Sequence, residues 1–283
     1  MSAARELMPI AIEAVDLAAA TLRSRRPVSV TSKGDRDMAS DLDHHIERQV
    51  RDHLAEKAPA VGFLGEEHGR SGSQESYWVL DPIDGTANFI KGIPLCAVSL
   101  ALIEDGNPVL GIVDAPLLGT RYTAIRGAGS HEGTRRLKAS DTSDLRSAIV
   151  AIGDYSVGPD SSAKNAVRLA ITQLLAERAQ RVRMLGSVAL DLAWVADGRL
   201  DASITMSNHT WDMAAGTLIA READAQILDR DGSTYALNST ATIAVAPGLL
   251  AEIVGILDEV ATPAGGIRLG DGLVDPPTAA TGR

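Results

Sequence analysis

Aromatic residues are scarce in this sequence, in which 283 residues include only three tryptophans, four tyrosines and two phenylalanines. The core must therefore be filled with leucine, isoleucine, valine and alanine. A single cysteine, Cys96, excludes an intramolecular disulfide and suits a reducing compartment. Because Cys96 lies in an apolar run, we expect it to be buried.

Long apolar runs are also missing, since no stretch reaches the length that spans a membrane. The N-terminal residues lack the layout of a signal peptide. Positive charge is in deficit, with 27 Lys and Arg against 37 Asp and Glu and a net charge of −10. These features predict a cytoplasmic protein without a nucleic-acid or membrane partner. They do not exclude an anionic substrate, because bound cations reverse the local charge.

The segment from Trp78 to Phe89 is the most informative part of the chain. An apolar run leads into Asp81 and Asp84, which a Gly-Thr step follows. Carboxylates at the end of a strand attract hard cations such as Mg²⁺, and backbone N–H groups at a helix start attract phosphate. Taken alone, the segment favours an ordinary turn, because Asp-Pro and Asp-Gly are common turn formers.

Acidic residues in two other segments weigh against the turn interpretation. Glu66 and Glu67 follow a short apolar stretch, although a pair of solvated surface glutamates would look the same. Asp212 falls in the first turn of a predicted helix for which Thr210 can serve as the N-cap. An aspartate at that position also has a purely structural explanation, because it complements the helix dipole.

A fourth acidic segment, Ser40-Asp41-Leu42-Asp43, precedes an amphipathic stretch. N-capping by Ser40 or Asp41 explains it without any chemistry, and we keep that explanation for Asp41. Four nearby histidines show no recurring ligand spacing, which favours structural or solvated roles over transition-metal binding. They are His44, His45, His53 and His68.

Together the four acidic segments resemble the signature of the inositol monophosphatase-like family of metal-dependent, lithium-sensitive phosphatases. That signature consists of Gly-Glu-Glu, Asp-Pro-Ile-Asp-Gly-Thr and a distal Trp-Asp, which occur here in the same order at 65–67, 81–86 and 211–212. The family's Thr-x-x-Asp element appears as Ser40-x-x-Asp43. The resemblance extends from the first helix to about residue 260.

The resemblance implies two or three Mg²⁺ ions and in-line attack of a metal-activated water on phosphorus. Two cations can neutralise the phosphate and stabilise the leaving oxygen of a reaction that is extremely slow without a catalyst. The implied metal ligands are Glu66, Asp81, the backbone carbonyl of Ile83, Asp84 and Asp212, with Asp81 bridging two ions.

Catalytic and substrate-binding roles follow from the same resemblance. The Thr86 hydroxyl, paired with Asp43, would orient the attacking water and help to deprotonate it, with Glu66 assisting. Glu67 is assigned a supporting or capping role. The residues implied in substrate binding are Gly85, Thr86, Gly186, Ser187 and Asp212.

Two positions leave the alcohol part of the substrate open. Thr205 stands where inositol phosphatases of the family carry a glutamate that contacts sugar hydroxyls, and Lys33 lies where the family often has a lysine on a loop near the site. Inositol 1-phosphate is the first candidate substrate, with histidinol phosphate and fructose 1,6-bisphosphate as alternatives. Some members of the fold act in transcription, so a protein-binding regulatory role is a further alternative. The resemblance also implies a homodimer.

Hydrophobic periodicity predicts alternating helices and strands, hence a mixed α/β protein. The resemblance narrows this to a layered αβαβα sandwich. In the helix predicted over 161–178, we expect Ala166, Leu169, Ala170 and Leu174 to face inward.

The polar stretch 129–145 is the predicted boundary between two halves of the chain. Residues 1–140 would form an α+β half with most of the metal ligands, and residues 141–262 a half with the Trp-Asp motif and the substrate-facing turn. Residues 263–283 are rich in glycine, proline and threonine and are predicted to form a flexible tail.

Overall fold

The computed structural model describes residues 3–32, 38–159 and 161–261. Lys33 and the predicted tail 263–283 lie outside the described residues. Within the described ranges the chain forms seven α-helices and fifteen strands, so the α/β prediction is confirmed. The helices are Ala3–Ser24 (α1), Asp41–Lys57 (α2), Thr86–Lys91 (α3), Ser161–Arg178 (α4), Val188–Ala196 (α5), Thr210–Arg221 (α6) and Leu250–Ala261 (α7).

The strands form a two-stranded hairpin and two larger sheets. The hairpin and the first sheet use Val30–Ser32 (β1), Met38–Ser40 (β2), Gly62–Gly65 (β3), Gly69–Ser71 (β4), Ser76–Asp84 (β5), Ala97–Glu104 (β6), Asn107–Ala115 (β7), Thr120–Ile125 (β8), Gly129–Glu132 (β9) and Arg135–Arg136 (β10). The second sheet uses Ile149–Ile152 (β11), Arg181–Arg183 (β12), Ala202–Thr205 (β13), Gln226–Leu228 (β14) and Thr242–Val245 (β15).

The eight-stranded sheet has the order β10-β9-β8-β7-β6-β5-β3-β4, and its pairs are antiparallel except for β3 with β5. The five-stranded sheet has the order β12-β11-β13-β15-β14. In it β12, β11 and β13 run parallel, whereas β15 pairs antiparallel with both β13 and β14. The carboxyl ends of β12, β11 and β13 therefore lie along one edge, where ligands bind in open α/β sheets.

Helices and sheets alternate in five layers. Helices α1 and α2 cover one face of the eight-stranded sheet, and α5 and α6 lie between the two sheets. Helices α4 and α7 cover the outer face of the five-stranded sheet. This arrangement is the αβαβα sandwich that the family resemblance implies. No helix in the described part of the chain is long and apolar enough to cross a membrane.

The central helical layer shows why the scarcity of aromatic residues matters. Helix α5 is apolar on nearly every side, as expected for a helix enclosed between sheets. A Cβ atom added at Gly216 on α6 would lie 2.7 Å from the Leu192 Cβ atom on α5, and one at Gly111 on β7 would lie 2.9 Å from the Ala215 carbonyl oxygen. Small residues therefore let the layers approach closely.

The predicted inward face of α4 is only partly correct, because Leu174 packs half-buried against the core cluster that this helix covers. Ile171 and Leu175 are buried against the five-stranded sheet, whereas Leu169 is 51% exposed and Ala166 is also exposed. Two overlapping apolar stripes run along this helix, and periodicity does not distinguish them. The stripe with the β-branched isoleucine faces the sheet.

The polar stretch 129–145 is only partly a connection, because its first residues form β9 and β10 at the edge of the eight-stranded sheet. Edge strands tolerate polar and charged side chains, so their composition resembles that of a linker. The boundary between residues 140 and 141 stays a prediction.

Candidate active site

Strand β5 delivers Asp81 and Asp84 to the site, and both side chains are buried. Residues three apart on a regular strand point to opposite faces. Here the pairing with β6 shifts by one residue between Asp81, opposite Ser99, and Asp84, opposite Ala97. A bulge of this kind changes the direction in which a side chain points. It therefore allows the carboxyl groups of Asp81 and Asp84 to reach the same region.

Two neighbouring elements place Glu66 and Asp212 near Asp81. The Glu66 amide donates to the Leu80 carbonyl at 3.3 Å, which continues the β3–β5 ladder and sets Glu66 beside Asp81. The Ser99 hydroxyl donates to the Trp211 carbonyl at 3.1 Å, which fixes the start of α6 against β6. The predicted Thr210 cap is wrong. His209 is the N-cap residue, its ring stacks on Trp211, and its side chain makes no cap hydrogen bond.

The electrostatics show that the predicted acids share one region. Burial raises the pKa of Asp81 well above its ordinary value of 3.8. The neighbouring carboxyls raise it further, in the order Glu66, Asp84, Asp212 and Asp43. All of the acids singled out as metal ligands or catalytic groups therefore lie within electrostatic reach of Asp81.

Asp43 is one of two acids in the first turn of α2, and its carboxyl faces the Thr86 hydroxyl. It forms a capping box with Ser40, whose amide and hydroxyl donate to Asp43 Oδ2 at 2.7 and 2.6 Å. Burial raises the pKa of Asp43 to about 6. The capping explanation for Asp41 is wrong, because Ser40 is the cap. Asp41 instead accepts the amides of Val28 and Ser29 at 3.0 and 3.1 Å.

The Thr86 hydroxyl lies between two acceptors. It is 2.8 Å from the Ile83 carbonyl oxygen and 3.3 Å from Asp43 Oδ1. One hydroxyl proton can serve only one of them well, so the shorter contact to Ile83 holds it. A small rotation of the hydroxyl hydrogen would transfer the bond to Asp43. The Ile83 carbonyl keeps a second lone pair for another ligand.

Asp84 connects the first sheet to α5. It accepts hydrogen bonds from the Ser187 hydroxyl and from the Ala189 amide at 2.9 Å, with the Val188 amide at 3.3 Å. A carboxylate at a helix N-terminus is stabilised by these free amides and by the helix dipole. Burial is nevertheless the larger effect and raises the pKa of Asp84 to about 6.

Gly85 brings the predicted phosphate loop and the predicted substrate turn together. Its φ of 85° is a conformation that suits glycine, and a Cβ atom there would lie 2.8 Å from the Leu95 carbonyl oxygen and 2.9 Å from the Gly186 carbonyl oxygen. The Asn88 side-chain amide bonds the Leu95 and Leu185 carbonyls at 2.8 and 2.7 Å. Gly85, Gly186 and Ser187 therefore lie in one compact corner.

Residues 3–261 match the Inositol monophosphatase family. The chain belongs to this family. It is thus a phosphatase of the inositol monophosphatase family, a class of phosphoric monoester hydrolases that depend on metal ions. The family assignment covers both sheets and every acidic segment described above.

Individual relatives agree with this assignment. The probable inositol 1-monophosphatase ImpA of Mycobacterium tuberculosis is 35% identical over 244 residues, which cover 86% of this chain and 90% of the relative. The Nus factor SuhB of Xylella fastidiosa is 37% identical over 204 residues, covering 72% and 73%. The crystal structure of the suppressor protein suhB from Bartonella henselae superimposes with a TM-score of 0.84 at 30% identity, covering 90% of this chain and 99% of that one.

Sequence reasoning missed Glu47, which supports the Glu66 turn of this family member. Glu47 is fully buried and accepts the Glu67 amide at 2.7 Å, the His68 amide at 2.9 Å and the His68 ring Nδ1 at 2.7 Å. A Cβ atom at Gly65 would lie within 2.4 Å of the Glu47 carboxyl, so this glycine makes room for it. The available signal was the spacing, because Glu47 follows Asp43 by one turn on the apolar face of α2.

Sequence reasoning also missed Asp191, an acid buried in α5. Its Oδ1 atom has no hydrogen-bond partner within the described residues. Burial raises the pKa of Asp191 well above the ordinary range, and the charges of Asp84 and Asp154 raise it further. An aspartate in an otherwise apolar helix was the signal in the sequence.

The fit of these residues to a metal ion rests on their donor chemistry. Among residues 3–32, 38–159 and 161–261, no three His, Cys, Asp or Glu side chains converge into a finished coordination cluster. The acids around Asp81 nevertheless offer only oxygen donors, which suit hard cations such as Mg²⁺. Burial and, after it, the repulsion among these acids raise the pKa of Asp81, and a bound cation would relieve that repulsion. The donor chemistry of these residues therefore fits a divalent cation.

Proposed function

We propose that this protein is a Mg²⁺-dependent phosphomonoesterase that acts on a small polyol or sugar phosphate. Inositol 1-phosphate is the first substrate to test, with histidinol phosphate and fructose 1,6-bisphosphate as alternatives. The observation that carries the proposal is the buried Asp81, within reach of four other carboxyls and four residues from the Gly85 turn. An acidic cleft beside a helix start suits a phosphate only when cations are present.

The proposed metal-holding groups are Glu66, Asp81, the Ile83 carbonyl, Asp84 and Asp212. When bound, Mg²⁺ would supply charge neutralisation for the phosphate and lower the pKa of a water molecule. The chain's own contribution begins with the amides of Gly85 and Thr86, which would donate to phosphate oxygens at the start of α3. Because Gly186 and Ser187 lie against Gly85, they and Asp212 are proposed to contact the alcohol part of the substrate.

Thr86 and Asp43 are the proposed water-handling pair. A water that donates to Thr86 Oγ1 would release the threonine proton toward Asp43 Oδ1, which is 3.3 Å away. Asp43 can take the proton because burial raises its pKa to about 6, and the two bonds that it accepts from Ser40 hold its carboxylate in place. Glu66 is proposed to assist. The water would then attack phosphorus in line with the leaving oxygen, without a covalent phosphoenzyme.

The first experiment is phosphate release from a panel of phosphate monoesters with and without Mg²⁺. The panel contains inositol 1-phosphate, histidinol phosphate, fructose 1,6-bisphosphate and 3′-phosphoadenosine 5′-phosphate. We expect release from at least one of the first three only with Mg²⁺, and inhibition by lithium at limiting Mg²⁺. Equal release with and without Mg²⁺ would contradict the metal-dependent mechanism.

A site variant tests the assignment of the acids. Asp84→Asn should reduce turnover below detection, because Asp84 is a proposed metal ligand and also holds the start of α5. Asp52→Asn on α2 makes the same chemical change at an exposed position and should leave turnover unchanged. Near-normal hydrolysis by Asp84→Asn would show that the site is elsewhere.

A regulatory role through a protein partner is the second candidate, since one relative is named Nus factor SuhB. In that case Asp84→Asn would lose turnover but keep partner binding. A homodimer is proposed by family resemblance. Sedimentation that shows a monomer at micromolar concentration would remove this proposal.

A further inference from the structure

A cleft lies at the carboxyl edge of the parallel strands β11 and β13. It measures about 240 Å³ including its open mouth, and its lining includes Gly153, Tyr155, Arg168, Thr172 and Met206. The enclosed part is small, so a bound group would sit mainly in the mouth. Carboxyl ends of parallel strands are where α/β sheets bind ligands.

Arg168 gives this cleft a positive charge that is not offset by an ion pair with any acid in the described part of the chain. Its guanidinium donates to the Ser156 hydroxyl and, at 2.8 Å, to the Met206 carbonyl oxygen, and both acceptors are neutral. None of the described carboxylates forms an ion pair with it. Arg121 and Arg178 differ in this respect, because each of them pairs with an acid.

The guanidinium is also partly removed from water. Arg168 is half-buried, and burial lowers its pKa below the usual value of 12.5, although an arginine keeps its charge in proteins. With two of its five N–H groups in use, the fork retains donors for an anion. A desolvated cation with neutral partners gains more from a bound anion than an exposed one does.

The cleft adjoins the alcohol side of the proposed active site. The Gly153 amide donates to the Ile204 carbonyl at 3.0 Å, and a Cβ atom at Gly153 would lie 3.0 Å from the Thr205 side chain. Thr205 is buried and brings no charge. Burial raises the pKa of Asp191, and the charges of Asp84 in the active site and of Asp154, the next residue in this loop, raise it further, so both the loop and the site lie within electrostatic reach of Asp191.

We propose that Arg168 anchors a second anionic group, phosphate or carboxylate, on the alcohol part of the substrate. The inference rests on the proposed function and specifies its substrate class. It ranks phosphomonoesters with a second anionic group above neutral polyol phosphates, and it places a cationic alcohol such as histidinol last, because Arg168 would repel it.

Two matched substrate pairs test the inference in Mg²⁺. Fructose 1,6-bisphosphate is compared with fructose 1-phosphate, which lacks only the second phosphate. The compound 3-phosphoglycerate is compared with glycerol 3-phosphate, which has a hydroxymethyl group in place of the carboxylate. The measured quantity is the ratio of kcat/KM within each pair, and the two pairs distinguish a phosphate subsite from a carboxylate subsite.

We expect the wild-type enzyme to favour the more anionic member of at least one pair by about tenfold or more, the size of one charge-assisted hydrogen bond. Arg168→Gln should bring that ratio close to one, and Arg168→Lys should restore most of it. Arg178→Gln removes a charge from the end of the same helix, where the side chain pairs with Glu259, and should leave the ratio unchanged.

Other outcomes overturn the inference. A wild-type ratio near one in both pairs means that no second anion is recognised. An equal loss on both members of a pair in Arg168→Gln means that Arg168 only supports the 206–209 loop. If neither these substrates nor inositol 1-phosphate is hydrolysed, the proposed function fails and the inference fails with it. If the enzyme is active but Arg168→Gln leaves the kcat/KM ratio within each pair unchanged, the inference fails and the proposed function stands.

Discussion

Replacing Glu47 with glutamine tests whether the buried carboxylate supports the Glu66 turn. Glu47 Oε2 accepts the Glu67 amide, and Oε1 accepts both the amide and the ring Nδ1 of His68. A glutamine that keeps its oxygen at the Oε1 position retains the two bonds from His68. Its NH₂ group then faces the Glu67 N–H, so a buried donor opposes another donor.

The magnitude follows from that geometry. One charge-assisted hydrogen bond is lost and a buried amide is left without an acceptor, which costs about 2–3 kcal/mol. For a protein of this size the midpoint of thermal unfolding should fall by roughly 3–6 °C. Glu66 follows Gly65 directly and precedes the two amides that Glu47 holds, so the proposed metal ligand should also become less well positioned. We therefore expect several-fold more Mg²⁺ to be needed for half-maximal activity.

Thermal unfolding followed by circular dichroism and a Mg²⁺ titration of phosphate release measure both effects. Glu56→Gln is the matched control, because it makes the same chemical change on the same helix at a side chain that is 73% exposed. That variant should stay within about 0.5 kcal/mol of wild type. If Glu47→Gln unfolds at the same temperature as Glu56→Gln, the three hydrogen bonds do not hold the turn and the reasoning is refuted.

The remaining predictions concern the strand end and the single thiol. Folding raises the pKa of Asp84 from 3.8 to about 6, so the Mg²⁺-free protein loses stability as pH rises through that range. The Asp84→Asn variant should therefore have a higher melting temperature than wild type near neutral pH but not below about pH 4. A difference in melting temperature that stays constant with pH would contradict this prediction. Gly85→Ala should cost about 1–3 kcal/mol in chemical denaturation and most of the activity, because φ is 85° and the added Cβ atom would lie 2.8 Å from the Leu95 carbonyl oxygen. Gly92→Ala carries similar backbone strain at φ 74° but meets nothing within 4 Å, so it should be destabilised less and keep its activity. Burial raises the pKa of the Cys96 thiol to about 12, so an aromatic disulfide reagent should label this thiol only when the protein unfolds. Rapid labelling of the native protein would show that the surroundings of Cys96 are open to solvent and would contradict this prediction.

The helices, strands and acidic motifs that depend only on residues close together in the sequence were the easiest to predict. The amphipathic stretch after Asp43 lies in α2, and the apolar run before Asp81 lies in β5. Burial of one face of a helix, or of both faces of a strand, leaves a clear pattern in the sequence. The Asp-Pro-Ile-Asp-Gly-Thr segment is short and local, so a family resemblance could assign its residues one by one. The resemblance also supplied the layer order, which periodicity alone does not contain.

The failures at Glu47 and Asp41 share a physical cause, which is that the partner that decides the role of the side chain lies far away in sequence. Glu47 is one turn from Asp43, but its acceptor role depends on amides 20 and 21 residues later. The neighbours of Asp41 in the sequence predict a helix cap, because the Val28 and Ser29 amides that Asp41 accepts belong to an earlier loop. Long-range polar contacts of this kind leave no period in the sequence.

Asp84 makes the stability of the fold and the state of the site interdependent. Its carboxyl is buried between the first sheet and α5, and it receives the Ser187 hydroxyl and two amides from that helix. The thin layer of small residues around α5 is what allows a strand from one sheet to cap a helix that packs on the other. A cation at the proposed site would favour the charged form of Asp84, and the charged form makes the stronger bonds to the α5 amides. Metal binding should therefore tighten the junction between the two sheets as well as prepare the site for phosphate.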